Sequence, residues 1–485
     1  MFRLCPKVLV GSDSTAVEGL GPVGLVQKGN AYFLALSTPD SGMYEFDGED
    51  ITGPAVLRLN PCGELVWAAQ ATGMTLAGSS AAALAADRCF NSYLTGLHNA
   101  DITFGSDTLT GQGAYVTRVN KDGEFVWAIP VTSTAPASLV VFGIAESQGE
   151  VFISGSFATD LTIDGTTITA TSSNDSFMAS LSKEDGSLNW LQQADGGGFD
   201  FSVDISSNKR CTFSVGGFDE TITFGDTSLV SKSPELFVGP VAFSTTYVAK
   251  TGCSGGNWVW ARAIQRDTVE DITYGTTHDS DQCSNTYIGS FYAGKIIFNN
   301  KLCLNGPDYD TVTVGTNPIV SSKTAFVSKM DRKGCYKWLN NIVFCGDESP
   351  FLHSNDTNAI EFRSFYTTVD AAGNVHATAV ARSLNGRLVI CRRAPCEDKC
   401  IVYSNSFKKT GTVLLYISFD PEGHVDSVRV MDVSDNAVNI YPTATDCSVS
   451  FTGKMEAPGV TFGNKSVETD TNDFFFLRTC KKVCC

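Results

Sequence analysis

The stretch from Gly63 to Gln70, GELVWAAQ, returns as GEFVWAIP from Gly123, GSLNWLQQ from Gly186, GNWVWARA from Gly256 and GCYKWLNN from Gly334. Each copy keeps a glycine and, four residues on, a tryptophan: Trp67, Trp127, Trp190, Trp260 and Trp338. A sixth copy, GHVDSVRV, keeps Gly423 and puts Ser427 in the tryptophan's place. The tryptophans are spaced by 60, 63, 70 and 78 residues, and self-similarity on this scale is the signature of a repeat architecture.

Working outward, each copy is preceded by two further patterns. One is an alternating apolar run that ends on glycine and leads to an F-G or F-D step, as in YLTGLHNADITFG, FISGSFATDLTID, FSVGGFDETITFG, YIGSFYAGKIIFN and FTGKMEAPGVTFG. Its aromatic or aliphatic column runs Phe46, Phe104, Ile163, Phe224, Phe298, Ile390 and Phe462, which makes seven copies. The other is a short β-rich run closed by turn residues: AVLRLNPCG, AYVTRVNKDG, SFMASLSKEDG, TYVAKTGCSGG, AFVSKMDRKG, LLYISFDPEG and FFFLRTCKK. Period-two alternation and tight-turn residues mark antiparallel strands, and helical periodicity is absent. Each unit therefore reads as four strands, A to D, with tight A–B and C–D turns and longer B–C loops.

Repeated four-stranded units predict an all-β chain, a seven-bladed β-propeller with one unit per blade. The expected blades span about 22–71, 78–133, 138–194, 200–265, 270–344, 362–434 and 437–480 of a single 1–485 domain. The last unit lacks a strand D, and the N-terminal stretch 1–11 has the character of the missing strand. Phe2 to Val10 is expected to pair onto the last blade and close the ring, with a cysteine-rich tail at 481–485. The G-x-F/L step, the F-G step, the [FY]-V-x-K/R strand and the G-x-x-x-W strand resemble the family named for seven-bladed β-propeller (SBBP) repeats. That resemblance implies a fold and carries no shared catalytic residues.

The tryptophan column is expected to pack between neighbouring blades. Trp258, outside the column and facing the other way, is a candidate for contact, as are Phe237, Phe243 and Tyr309 in the enlarged B–C loops of units 4 to 6, about Asp226–Ser244, Asn299–Ser322 and Arg392–Lys409. The G-x-S-x-G string from Gly252 to Gly256 falls in a C–D hairpin rather than on a strand-to-helix turn, so it reads as a turn and not as a nucleophile elbow. His98, His278, His353, His376 and His424 have no zinc spacing, and His98 is expected to face solvent. The acidic steps Asp279-Ser280-Asp281 and Asp308-Tyr309-Asp310 read as polar turns, so no metal and no cofactor is assigned.

A–B and C–D turns share one face of a propeller. This coincidence predicts three intra-blade disulfides: Cys211 with Cys253, Cys283 with Cys335, and Cys447 with Cys480. Cys391, Cys396 and Cys400 have the choice of bridging within their loop or to Cys303 or Cys345, with zinc as the runner-up, a weak one because C-x4-C-x3-C has no fourth ligand in reach.

Composition narrows the function. The formal charge of −17 argues against nucleic acid or an anionic membrane as partner, and no apolar run is long enough to span a bilayer. The first residues are too broken by Pro6 and Lys7 for an ordinary secretory signal, yet the chain holds 16 cysteines. The expectation is a non-catalytic structural or interaction scaffold that takes a protein or glycan through the enlarged loops of units 4 to 6, as part of a multi-protein assembly. A virion of a large DNA virus or an exposed surface reconciles the cysteines with the missing signal. The rival settings are a bacterial surface adhesion protein and a reduced cytosolic scaffold. The rival class is a propeller enzyme acting on glycans, which needs paired carboxylates at strand A of several blades.

Overall fold

The computed structural model describes residues 3–5, 22–37, 44–73, 80–208, 211–231, 237–238, 241–242, 245–252, 255–266, 272–293, 295–298, 312–313, 324–345, 361–382, 385–392, 401–408, 412–432, 437–444, 448–455, 459–462, 465–468 and 473–480. It is an all-β propeller of four-stranded antiparallel blades. In unit 1 strands A to D are Pro22–Lys28, Ala31–Leu36, Ala55–Leu59 and Leu65–Gln70. In unit 2 they are Ser80–Ala86, Ser92–His98, Gly113–Val119 and Phe125–Thr132. Unit 3 contributes Val140–Ser147, Glu150–Phe157, Asp175–Ser182 and Leu188–Gly197. Unit 4 contributes Phe201–Ser207, Cys211–Phe218, Thr245–Gly252 and Trp258–Arg266.

Units 5 and 6 follow the same order, as Ile272–Ser280, Thr286–Ala293, Thr324–Met330 and Tyr336–Cys345, then Glu361–Val369, Val375–Arg382, Thr412–Phe419 and Val425–Asp432. Unit 7 has Ala437–Ala444, Ser448–Met455 and Asp473–Cys480. Arg3–Cys5 adds to its edge, with Arg3 opposite Cys480 and Cys5 opposite Arg478. The rest of the expected closing strand, to Val10, lies outside the described residues.

The B–C segments are more than loops. Each folds into a second hairpin, and the F-D and F-G steps are its turn: Asp47 and Gly48 have φ of 50° and 85°, Asp164 and Gly165 of 47° and 75°. In units 3 to 6 this hairpin crosses to the preceding unit and pairs with its strand D. Val131 then faces Ile163, Ile264 faces Phe298 and Ile342 faces Ile390. In units 3 to 6 the recurring Phe/Ile column thus lies on the strand that locks each unit onto the one before, whereas the hairpins of Phe46, Phe104 and Phe462 form separate two-stranded sheets.

Tryptophan and glycine columns meet across the same joints. A Cβ added to Gly123 would lie 2.9 Å from the Trp67 ring, at Gly186 3.0 Å from Trp127, at Gly334 3.0 Å from Trp260 and at Gly423 2.6 Å from Trp338. Only a bare backbone fits over the indole of the unit before. The ring then donates from Nε1 to a carbonyl two or three residues upstream of that glycine: Trp67 to Lys121 O (3.0 Å), Trp127 to Lys183 O, Trp260 to Arg332 O and Trp338 to Pro421 O (each 3.1 Å). The basic residue of the [FY]-V-x-K/R strand reaches the same carbonyl, as Arg58, Arg118, Lys250 and Lys329 do at 2.7 to 2.9 Å. At these four joints two donor columns converge on one main-chain oxygen beside the glycine, whereas in unit 3 Ser180 replaces the basic residue and the buried Trp190 Nε1 has no hydrogen-bond partner. Unit 6, with Ser418 and Ser427 in those places, has neither donor type.

Candidate functional site

Strand A is the innermost strand of each blade, and no described strand pairs with its inner edge. A register shift interrupts every strand A where it pairs with strand B, from Pro22/Gly24 to Val438/Tyr441. Past this bulge, side chains of one unit accept N–H groups of the next. Asp204 Oδ2 accepts from His278 N (3.0 Å), Asp279 Oδ2 from Val369 N (2.9 Å) and Thr443 Oγ1 from Gln27 N (3.2 Å).

These strand ends surround the mouth of a central channel, a cavity of about 480 Å³ lined by strand A residues of every unit. One side of it is cationic with an embedded acid: Glu146 lies 3.2 Å from Lys28 Nζ and 2.6 Å from Lys183 Nζ, with Arg88 exposed beside them. The other side carries Asp279, Asp281 and Asp370. Burial pushes the Asp279 carboxyl above its ordinary range, against the donors Val369 N, Ser280 N and Thr368 Oγ1. For Asp370 burial acts in the same direction, but hydrogen bonds from His376 and Asn374 outweigh it and hold the carboxyl below the usual range. His376 Nε2 lies 3.2 Å from Asp370 Oδ2, and Nδ1 2.7 Å from the Tyr416 hydroxyl, all three buried. Asp281 accepts from Cys283 N, Asn285 N, Asn285 Nδ2 and the Tyr287 hydroxyl, and so locks its A–B turn.

A second feature lies on the outer rim. The unit 6 segment Arg392–Lys409 was expected to be an enlarged loop. Instead Ile401–Lys408 is a strand, paired to Asn385–Arg392, which in turn pairs with strand D of unit 5. It is the outermost strand of a six-stranded sheet, and no described strand pairs with its outer edge. Val402, Ser404, Asn405 and Ser406 are exposed. At eight residues it is twice the length of the corresponding outer strands Thr166–Thr169 and Thr227–Val230.

The contact candidates fare differently. Trp258 is half-buried, edge-on to Phe224 with ring centroids 4.8 Å apart. Phe237 sits in a two-residue strand, Phe237–Val238, that pairs with Val241–Ala242. Phe243 and Tyr309 lie outside the described residues, as do His353 and the Asp308–Asp310 step. The G-x-S-x-G glycines Gly255 and Gly256 have φ of 80° and 67° and form a turn. His98 does not face solvent: it is 2% exposed, with Nδ1 3.0 Å from Ala100 O.

Two expected disulfides do not form. Cys211 is a buried thiol whose Sγ is turned to Asn208 Oδ1 (3.5 Å), since its strand sets it opposite Gly252 rather than Cys253. Cys283 is an exposed thiol at the tip of the Asp281 turn, while Cys335 is disulfide-bonded to another residue. Sharing a face of the propeller is not sharing a bond distance. The Cys447 and Cys480 side chains, with Cys253, Cys303, Cys345, Cys396 and Cys400, lie outside the described ones. Cys391 is a buried thiol, and Cys62 and Cys89 are exposed thiols.

Sequence reasoning missed the inter-blade acceptors Asp204 and Asp279. Asp279, expected in a polar turn, lies instead in strand A of unit 5, and Asp204 in that of unit 4, each as the one acidic residue of its strand. It also missed the outer strand, although IVYSNSFK carries the alternation of a strand.

No family model matches the chain, so the resemblance to SBBP repeats finds no family behind it. No curated protein matches it either. Among solved structures the chain is similar to a europium-containing methanol dehydrogenase, at 8% identity and a TM-score of 0.42, over 95% of this chain and 93% of that one. It is also similar to the GH43 protein BlXynB of Bacillus licheniformis, at 7% identity and a TM-score of 0.31 over 97% and 98% of the two chains. A third is the WD40 domain of SCAP from fission yeast, at 8% and 0.34 over 99% and 94%. These are likenesses of fold and say nothing about activity.

Proposed function

We propose that this chain is a non-catalytic scaffold, a ring of seven blades closed by its N-terminal strand, that recruits an extended protein segment by adding it as a strand to the outer edge at Ile401–Lys408. The observation that carries the binding mode is that edge: a long strand with exposed side chains and no described strand on its outer side. Such an edge is a template for another chain: it carries no proline or mid-strand lysine, and its one bulge, at Val402, leaves Tyr403–Lys408 in regular register. It stands in the sector, units 4 to 6, where the sequence concentrates its insertions.

The blade count rests on the succession of strand A neighbours. Pro22–Lys28 touches Ser80–Ala86, and contacts continue through units 3, 4, 5 and 6 to Ala437–Ala444, which touches Pro22–Lys28 again. The non-catalytic reading is supported by how the channel carboxylates are used. Asp204, Asp279, Asp281 and Asp370 accept main-chain or turn donors, so their oxygens are spent on holding the ring. As to setting, we keep a particle assembled in a reducing compartment and later exposed. Exposed thiols at Cys62, Cys89 and Cys283 beside a disulfide at Cys335 suit a partly oxidised protein. Intact mass of native-source protein before and after reduction checks it: sixteen free thiols would favour the cytosolic scaffold.

The binding mode is tested with peptides selected from a displayed library on the immobilised full chain. Successive residues of an edge strand point alternately to the sheet and away, so one of Ser404→Pro and Asn405→Pro deletes an outward N–H and leaves the inner ladder intact. That variant is expected to keep its melting temperature and lose the selected peptides. Peptides that bind both variants as they bind the parent would sink the reading.

A further inference from the structure

From unit 3 to unit 4 the chain passes through Asp195-Gly196-Gly197-Gly198-Phe199-Asp200, on the face opposite the channel mouth described above. Asp175, Asp195 and Asp219 act on Asp200 here, and all three repel its charge. Asp175 is fully engaged: its oxygens accept from Thr171 N and Oγ1, Ser172 Oγ and Gln193 Nε2 at 2.6 to 3.0 Å. Asp200 is the reverse case. It is 0% exposed, and no donor completes a hydrogen bond to either carboxylate oxygen, although the Asp219 N–H is turned toward it.

The glycines bring main chain against this carboxylate. A Cβ on Gly196 would stand 2.8 Å from Asp200 Oδ2 and 1.8 Å from the Thr221 carbonyl oxygen, so carboxylate and carbonyl crowd the same glycine. The Asn174 side chain holds the turn from below, donating from Nδ2 to Asp200 O at 2.8 Å. Among the described residues, the charged groups that act most strongly on Asp200 are all carboxylates. A buried carboxylate with neighbours of its own sign and no hydrogen bond completed to its oxygens binds either a proton or a cation.

We propose that Asp200 and Asp219, completed by main-chain oxygens of this turn and by water, form a site for one hard divalent cation of the calcium class at the joint of units 3 and 4. Among the described residues no three His, Cys, Asp or Glu side chains converge as a metal cluster, so the site has two carboxylates at its centre and draws its other ligands from carbonyls. Calcium tolerates that composition, because it takes six to eight oxygens in flexible geometry. Magnesium demands near-ideal octahedral ligands, and zinc prefers nitrogen and sulfur, which this turn does not offer. Without the cation, Asp200 is a fully buried acid with no completed hydrogen bond beside carboxylates of its own sign, and it weakens the fold relative to an asparagine. With the cation the same residue strengthens the joint.

The test uses EDTA-stripped full-length protein in melting scans with calcium chloride up to about 10 mM, and with magnesium chloride at equal ionic strength. Native mass spectrometry reads the calcium bound. The wild type is expected to melt progressively higher with calcium and not with magnesium, and to carry one ion. Asp200→Asn is expected to melt above the calcium-free wild type, to lose the calcium response and to carry no ion. A second variant, Asp219→Asn, is expected to weaken the response. A wild type that binds no calcium and melts unchanged throughout, with Asp200→Asn melting higher in every buffer, would overturn the proposal and leave Asp200 as a protonated acid. A calcium response retained in Asp200→Asn would overturn it equally, by placing the ion elsewhere.

Discussion

Two adjacent glycines separate the reasons for which the repeat keeps its glycine column. Gly255 and Gly256 both have positive φ, 80° and 67°, so alanine at either meets the same backbone penalty. That penalty is about 1–2 kcal/mol. Their surroundings differ. A Cβ on Gly255 meets nothing within 4 Å, whereas one on Gly256 stands 2.4 Å from Trp190 Cδ2 and 2.5 Å from its Cε3. Overpacking of a filled joint adds about 1–3 kcal/mol. Gly255→Ala should therefore cost about 1–2 kcal/mol and Gly256→Ala about 2–5 kcal/mol, out of a typical total of about 5–15 kcal/mol. Urea titrations followed by tryptophan fluorescence give both costs from midpoints at constant slope. A double variant with Trp190→Phe, which removes the benzo ring that the new methyl strikes, should recover part of the Gly256→Ala loss and none of the Gly255→Ala loss. Equal costs at the two positions would refute the joint argument and reduce the column to a turn requirement.

Further outcomes follow from the same geometry. Trp338→Phe keeps the ring between units 5 and 6 but removes the bond to Pro421 O, and should cost about 1 kcal/mol beyond the lost area, as seen in a urea midpoint. In calcium-free buffer the stability gap between Asp200→Asn and wild type should widen as pH rises from about 4 toward about 9 and then level off. The unfolded carboxyl ionises near the lower value and the folded one near the upper, so wild-type stability falls across that window, and a flat difference would contradict the assignment. A maleimide should label Cys62, Cys89 and Cys283 in the native protein, Cys211 and Cys391 only after unfolding, and Cys335 only after reduction, read by peptide mapping. Rapid native labelling of Cys211 would show that its strand pairing is wrong.

The blade plan was legible because the joints reuse the same three residues. Tryptophan and the basic residue reach into the next unit and the glycine meets the tryptophan of the unit before, so they recur at fixed spacing, the basic residue except in units 3 and 6, and show in a single sequence. The second hairpin was hidden in the B–C segments because its strands are only three or four residues long in most units, too short for alternation to register. Asp204, Asp279 and Asp200 were missed for a different reason. Each does something that its own unit does not repeat, so no column marks it, and its role depends on which N–H or carboxylate a neighbouring unit brings alongside. The disulfide expectation failed on a matter of register: turns on one face were taken as close, but Cys211 is opposite Gly252 and Cys283 stands out from its turn tip.

The central claim is that a partner segment adds to the edge at Ile401–Lys408, and amide exchange tests it most directly. Deuterium uptake would be followed in the peptide covering 401–408, with and without a library-selected strand peptide. Protection at alternate residues of this segment, absent in the proline variant that lacks an outward N–H, is the predicted result. Protection confined to the channel mouth, around Arg88, Glu146 and Asp281, with no change at 401–408, would contradict the account and move the binding site to the ring's centre.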